Sequence, residues 1–539
     1  MEQREETVTI PFQDSTITGI KLRSFKGKEY YGFFGIRYAK PPIEELRFKP
    51  PQPIESYPKH IDATKPGDIC MQKVICGYPK EKIVGSEDCL HLNIFIPKLP
   101  SKNAPLKPVF INIMGGGYIR SVSDQYPTML IDYDIIFAYF SYRLHILGFL
   151  NLGLEECPGN VGLKDQVVAL KWIISNIRYF GGDPNNITLH GTSAGGTSVH
   201  LFMISPLTKG LFQKAIISSG HALSPWSLAQ KPVEYAFIVG RQLGYQKKDK
   251  IELLNYLKAQ PAEDLLTAIY ATKTLVEPCI NILYGWNVFV PSVEFIQEGA
   301  FLPDIPEKLW KNANSISVLT GICENEGGLF FKQNGLINGY NEIDTVKAFI
   351  KAFITESYHL DEKLTNEICK EIEIFYFGSA NNQSDVFSIF MMFCSDFMIK
   401  EYCCVFNFMR KGGLSQVFNY LFAYEGLVNY IKMSTTSIIK KSVKGSYHSD
   451  EYGYILENKN MKSTFHENDK NFSQKICSMW THFAKTGNPN YDGIETEWEP
   501  SSETNPCYLH IDNKCTLVRE EINGKRTAFW KYLMKKYAL

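Results

Sequence analysis

Ser193 stands in Gly191-Thr192-Ser193-Ala194-Gly195, after the apolar run Ile187-Thr188-Leu189-His190 and before the helix-compatible stretch Gly196-Thr197-Ser198-Val199-His200-Leu201-Phe202-Met203. A serine between glycines at a strand-to-helix turn has the makings of a nucleophile elbow. The glycines let the chain turn sharply and let the helix start pack against the strand. The serine is thrust out at the strand's end over the positive end of a helix, where a developing oxyanion is stabilised. By itself the pattern is weak, because about one chain in five of this length carries it by chance at average Gly and Ser usage. Its surroundings decide. Upstream, Pro108-Val109-Phe110-Ile111-Asn112-Ile113-Met114 reads as a buried strand running into Gly115-Gly116-Gly117-Tyr118, whose backbone N–H groups can converge on an anion.

These residues need a scaffold that brings strand ends together. Residues 7–10 and 15–20 alternate like an antiparallel hairpin at a sheet edge. Apolar runs at 92–96, 109–113, 135–141, 187–190, 214–218, 315–320 and 417–423 predict the main strands, and stretches such as 252–259 and 346–353 predict amphipathic helices. Alternating β and α elements point to a mostly parallel central sheet with helices on both faces, an α/β class with the chemistry in loops at the strands' C-terminal ends.

Gly85-Ser86-Glu87-Asp88-Cys89-Leu90-His91-Leu92-Asn93-Ile94 strongly resembles the E-D-C-L-x-L-N signature of the type-B carboxylesterase and cholinesterase family. Further matches follow in the family's order: Leu46-Arg47-Phe48, Tyr142-Arg143-Leu144, Gly159-Asn160-Val161-Gly162, Phe180-Gly181-Gly182-Asp183-Pro184-Asn185-Asn186, the elbow itself, and Phe483-Ala484-Lys485-Thr486-Gly487-Asn488-Pro489. The chain looks closest to insect carboxylesterases that lack a signal peptide. The resemblance implies one α/β-hydrolase domain over residues 1–539, with long helical insertions.

A serine hydroxyl needs a base to take its proton, and the base needs an orienting carboxylate. In α/β-hydrolases these follow the serine in the order acid, then histidine. His448, in Gly445-Ser446-Tyr447-His448-Ser449-Asp450-Glu451, matches the family's histidine loop, whereas helical packing explains His482. The acid lies in Gly321-Ile322-Cys323-Glu324-Asn325-Glu326-Gly327, where proximity leaves Glu324 and Glu326 both open. The family places its glutamate directly before a glycine, which selects Glu326 and leaves Glu324 a solvated neighbour. The implied site is Ser193, Glu326 and His448, with an oxyanion hole of Gly116, Gly117 and Ala194 and no metal or cofactor. The resemblance further implies ion pairs Arg47–Glu87 and Arg143–Asp165, a carboxylate of Glu451 near the histidine, and a Cys70–Cys89 disulfide. Cys76 lies inside that loop as a competitor, and a reducing cytosol would leave the pair as thiols. Trp226 matches the acyl-pocket tryptophan. A rigid indole there favours short acyl groups.

The chain departs from the family in three places. Met114 replaces the usual His or Tyr before the glycines, which alters packing but removes no backbone donor. Thr192 replaces the glutamate common before the serine. No tryptophan lies between Cys70 and Cys89 to hold a quaternary ammonium, which disfavours a choline esterase. The expected activity is hydrolysis of small hydrophobic esters, xenobiotics among them, with organophosphates as covalent inhibitors. The competing expectation is a relative that sequesters ligands with slow turnover.

Composition sets the outer bounds. Lys plus Arg and Asp plus Glu both number 57, so no net field favours nucleic acid or an anionic membrane. No apolar run is long enough to span a bilayer. Met1-Glu2-Gln3-Arg4-Glu5-Glu6 lacks an apolar signal core, which predicts a cytoplasmic protein, or a secreted one from which a signal has been removed. Thirteen cysteines leave at least one unpaired within the chain, and their spacing shows no zinc pattern. Asn186, Asn382 and Asn471 begin glycosylation sequons that matter only for a secreted chain.

Overall fold

The computed structural model describes residues 6–74, 82–121, 125–224, 226–271, 288–295, 298–329, 331, 342–358, 360–378, 386–399, 416–439, 441–458 and 465–539. The amino-terminal strands Thr7–Phe12 and Ser15–Arg23 pair antiparallel with Thr7 opposite Ile20, as the alternation of residue types predicts. Glu29–Arg37, which the sequence reading did not single out, continues the meander onto His91–Ile96. Beyond it come Ile136–Phe140, Lys107–Ile113, Gly182–Thr192, Lys214–Ser218, Ser317–Cys323, Gln416–Phe422, Tyr508–Ile511 and Thr516–Val518. From Ile136–Phe140 through Tyr508–Ile511 every neighbouring pair is parallel. The two strands at the carboxyl-terminal edge went unpredicted, being short and flanked by polar turns.

Period-two alternation divides the parallel strands between two cores. Val109, Ile111 and Ile113 face one side with Ile187, Leu189, Ala215 and Ile217. There they meet Leu163, Leu170 and Ile173 of helix Val161–Asn176, and Val199 and Phe202 of helix Ala194–Ile204. Phe110, Phe137, Ile216, Leu319 and Phe418 face the other side, against Met479, Trp480 and Phe483 of helix Glu467–Thr486. Strands covered on both faces can be apolar almost throughout, which is why they read as continuous runs. The predicted helix at 252–259 is found as Lys250–Lys258, started by an Asp249 side chain that accepts the Glu252 N–H at 2.8 Å. Residues 346–353 lie within helix Ile343–Tyr358, which packs with Glu362–Phe377, Val386–Ile399 and Gly524–Tyr537 around Phe353, Phe390, Phe397 and Trp530.

Covalent and ionic ties hold the loops above the sheet. Cys70 and Cys89 are joined in a disulfide; Cys76 lies outside the described residues. Arg143 makes a two-pronged contact with Asp165 (Nε–Oδ2 2.8 Å, Nη2–Oδ1 2.7 Å), and both are buried. Arg47 grips Glu87 while also donating to the carbonyls of Lys258 and Gln260. Losing one partner of the buried Arg143–Asp165 pair strands the other charge, at a cost of about 3–5 kcal/mol. Asn186 is engaged by Lys214 and by the Lys485 carbonyl, Asn471 is exposed, and Asn382 lies outside the described residues. Among the described residues no helix is long and apolar enough to cross a membrane.

Candidate active site

Strand Gly182–Thr192 delivers Ser193 directly to helix Ala194–Ile204. Ser193 has φ 60° and ψ −129°, a conformation that L residues avoid and that local structure must enforce. Two hydrogen bonds do so: Ser193 N–H donates to the Ser218 carbonyl, and Thr197 N–H to the Ser193 carbonyl, each at 2.9 Å. The flanking glycines are required by close approach. A Cβ on Gly191 would lie 2.2 Å from the Gly195 oxygen, and one on Gly195 would lie 2.1 Å from the Ile113 oxygen. The sharp turn thus exists only because both positions lack a side chain.

The glycine triplet follows Lys107–Ile113, the strand beside the elbow strand. Gly115 is pressed against the elbow so closely that a Cβ would fall 2.3 Å from the Thr192 oxygen and 3.2 Å from Ser193 Cβ. Gly116 and Gly117, the next two residues, both have positive φ. Met114 is buried in the core on the far side of the sheet, and its carbonyl accepts the Tyr142 hydroxyl at 2.8 Å. The departure at this position is therefore a packing change, with the loop anchored by backbone.

Ser317–Cys323 ends in a turn carrying Glu326, which is fully buried. Glu326 Oε1 accepts Ser219 Oγ at 2.6 Å and Cys323 N–H at 2.7 Å, and Oε2 accepts His448 Nδ1 at 2.5 Å. A carboxylate on Nδ1 fixes the proton there, so Nε2 carries the lone pair. His448 is 2% exposed, and its Nε2 has no hydrogen-bond partner among the described residues. Glu324 points elsewhere. It lies against Gly445, is partly buried rather than solvated, and burial pushes its carboxyl above the ordinary range.

The two loops are zipped together. Asn325 N–H donates to the Ser446 carbonyl at 2.9 Å and Asn325 Nδ2 to the Lys444 carbonyl at 2.8 Å. Asp450 accepts the Tyr447 and Ile431 N–H groups at 2.7 and 2.9 Å, and Lys432 Nζ reaches the Val443 and Gly445 carbonyls. Burial raises both Asp450 and Glu451 to about 7. Glu451 Oε2 accepts the Cys323 thiol at 3.0 Å.

Histidines near the elbow are poor rivals to His448. His190, bonded to Asn112, and His200, whose Nδ1 accepts the Ala222 N–H at 2.9 Å, are pushed down to about 3 by burial. His200 can accept that bond only while neutral. His482 lies on helix Glu467–Thr486 and meets the Asn488 carbonyl. Thr192 is buried, its hydroxyl without a hydrogen-bond partner among the described residues. Trp226 is buried within the core on the helix Ala194–Ile204 side of the sheet. Tyr270 bonds His145 Nε2 at 2.7 Å, and residues 272–287 lie outside the described residues.

Ser219 was missed by the sequence reading. Its only signal is its place, one residue past the strand Lys214–Ser218 that runs beside Ser317–Cys323. Among the described residues no cluster suited to a metal ion occurs. Glu326 thus holds His448 through Nδ1, an arrangement that can stabilise an imidazolium against a buried carboxylate.

Comparison with known proteins identifies the family and the fold. Residues 4–530 match the carboxylesterase family. Esterase FE4 of Myzus persicae is 34% identical over 522 residues, covering 95% of this chain and 89% of that protein. Juvenile hormone esterase of Tribolium castaneum is 32% identical over 88% of this chain and 83% of its own length. Among solved structures, juvenile hormone esterase from Manduca sexta, with OTFP covalently attached, superposes with a TM-score of 0.84 at 27% identity, covering 98% of this chain and 100% of that one. The chain belongs to the carboxylesterase family and is a carboxylic-ester hydrolase of the α/β-hydrolase fold.

Proposed function

We propose that residues 1–539 act as one α/β-hydrolase domain in which Ser193 is the nucleophile, His448 the general base and acid, and Glu326 the orienting carboxylate. The observation that carries this reading is the buried Glu326–His448 bond at 2.5 Å, which leaves Nε2 as the imidazole's open end. Ser193 Oγ attacks the ester carbonyl as Nε2 takes its proton. The carbonyl oxygen becomes an oxyanion held by the N–H groups of Gly116, Gly117 and Ala194. Collapse breaks the ester C–O bond, and the imidazolium gives its proton to the departing alcohol. Water, deprotonated by the same nitrogen, then releases the acid and restores Ser193. Every step uses side chains and backbone of this chain.

The substrates that fit this reading are small hydrophobic esters, including xenobiotic ones, with Trp226 as the wall of the acyl site. A single misfitting methylene in such a pocket changes rates by about 10- to 200-fold. A series of esters with one alcohol and lengthening acyl chains should therefore show kcat/KM falling by at least about tenfold beyond a short acyl group. Trp226→Leu should flatten that fall. A core tryptophan with no substrate contact would instead give lower stability and an unchanged acyl profile. The Cys70–Cys89 bridge suits an oxidising compartment better than the cytosol, which favours the secreted alternative over the cytoplasmic one.

A further inference from the structure

Cys323 touches two carboxylates at once. Its backbone N–H donates to Glu326 Oε1 at 2.7 Å, and its thiol donates to Glu451 Oε2 at 3.0 Å. It is the last residue of strand Ser317–Cys323, where the backbone is held in register opposite Phe422, so neither donor can drift independently. The thiol is fully buried, and burial together with the charges of Glu451 and Glu326 holds its pKa well above the ordinary cysteine range. Both influences favour the protonated, donating thiol. Glu451 is equally buried, and its Oε1 has no hydrogen-bond partner among the described residues. The thiol is thus the only side-chain donor to that carboxylate among them.

We propose that Cys323 is a positioning residue for ester hydrolysis: its amide seats Glu326 against His448, and its thiol fixes the place and charge of Glu451, so that one residue sets how negative the surroundings of the working imidazole are. This rests on the reading of Glu326 and His448 given above.

The groups that face Glu451 are Cys323 and Glu326 from the acid turn, and His448, Asp450 and Tyr452 from its own loop. Burial, with a smaller contribution from the Glu326 charge, raises Glu451 to about 7, and the Cys323 thiol pulls in the opposite direction by bonding the ionised form. Without the thiol, Glu451 stays protonated to a higher pH, and the imidazolium of His448 loses a negative neighbour. The neutral, proton-accepting imidazole then persists to lower pH. The transition state, which carries the imidazolium, loses stabilisation over the same range.

The test is the pH profile of kcat/KM for Cys323→Ala, Cys323→Ser, Glu451→Gln and the Cys323→Ala/Glu451→Gln pair, using one ester. Cys323→Ala should move the acid limb to lower pH by about half a unit or more and lower the plateau several-fold. Cys323→Ser, which keeps a donor, should keep the wild-type midpoint. Glu451→Gln should shift in the same direction as Cys323→Ala, and the pair should shift no further than Glu451→Gln alone. An unmoved midpoint in Cys323→Ala, or a shift that persists undiminished on top of Glu451→Gln, overturns the proposal. If Cys323→Ala does not fold, Cys323→Ser and Glu451→Gln decide: a serine midpoint displaced like that of Glu451→Gln overturns it as well. The underlying triad reading fails separately, through activity that survives loss of Ser193.

Discussion

Ser193→Ala should lose about 10,000-fold or more in kcat/KM while keeping its thermal unfolding temperature. The loss is large because the hydroxyl is both the attacking atom and the source of the proton that His448 carries to the leaving alcohol. Residual turnover would come from the oxyanion donors and binding alone. The fold should be little disturbed. The elbow's backbone is held by the Ser193 N–H and carbonyl, at 2.9 Å each, and by the glycine contacts, none of which uses the hydroxyl. Steady-state rates on a short-chain ester with a melting curve on the same sample check both halves. Substantial turnover in a folded variant contradicts the assignment.

Glu326→Gln should fall by about 1,000- to 10,000-fold, whereas Glu324→Gln should stay within about threefold, a difference of under 1 kcal/mol in barrier. An amide at 326 can offer its N–H to Nδ1, which would put the histidine proton on Nε2, the wrong nitrogen for accepting one from serine. The same change weakens the bonds from Ser219 and Cys323, since both converge on Oε1. Glu324 instead faces Gly445, and among the described residues the carboxylate that bonds His448 is that of Glu326. Burial raises the Glu324 carboxyl above the ordinary range, so neutralising it removes a charge its surroundings disfavour. The reverse pattern, with Glu324→Gln crippled and Glu326→Gln near normal, would mean that the wrong carboxylate has been identified.

The sequence made the elbow legible because its chemistry is local: a serine, its glycines and the flanking run all lie within a few residues, and the same close approaches that demand glycine leave a readable pattern. The central strands were legible for a related reason, since double-sided burial forces apolar residues at nearly every position of Lys107–Ile113 or Ile136–Phe140. Short edge strands carry no such requirement, and Tyr508–Ile511 and Thr516–Val518 went unread. The choice of Glu326 over Glu324 came from family resemblance. In geometry it depends on a turn that sends one side chain toward Ser219 and the other toward Gly445, a difference no spacing rule encodes. Ser219 and Cys323 were not legible at all, because their roles arise from neighbouring parallel strands ending side by side, a tertiary event between residues more than a hundred positions apart. The departures at Met114 and Thr192 were visible as substitutions. Their consequence, two buried side chains beside a loop in which the Met114 carbonyl accepts the Tyr142 hydroxyl, required the fold.

The claim that Ser193 is the activated nucleophile is tested most directly by trapping it. A triad that drives serine onto a carbonyl also drives it onto phosphorus, and N–H donors placed for an oxyanion hold the phosphoryl oxygen. Intact-mass spectrometry of the whole protein after brief exposure to a reactive organophosphate, followed by peptide mapping, should show one adduct per chain, located on Ser193, with matching loss of esterase activity. Inactivation with the adduct on another residue, or full activity with no adduct, would contradict the account.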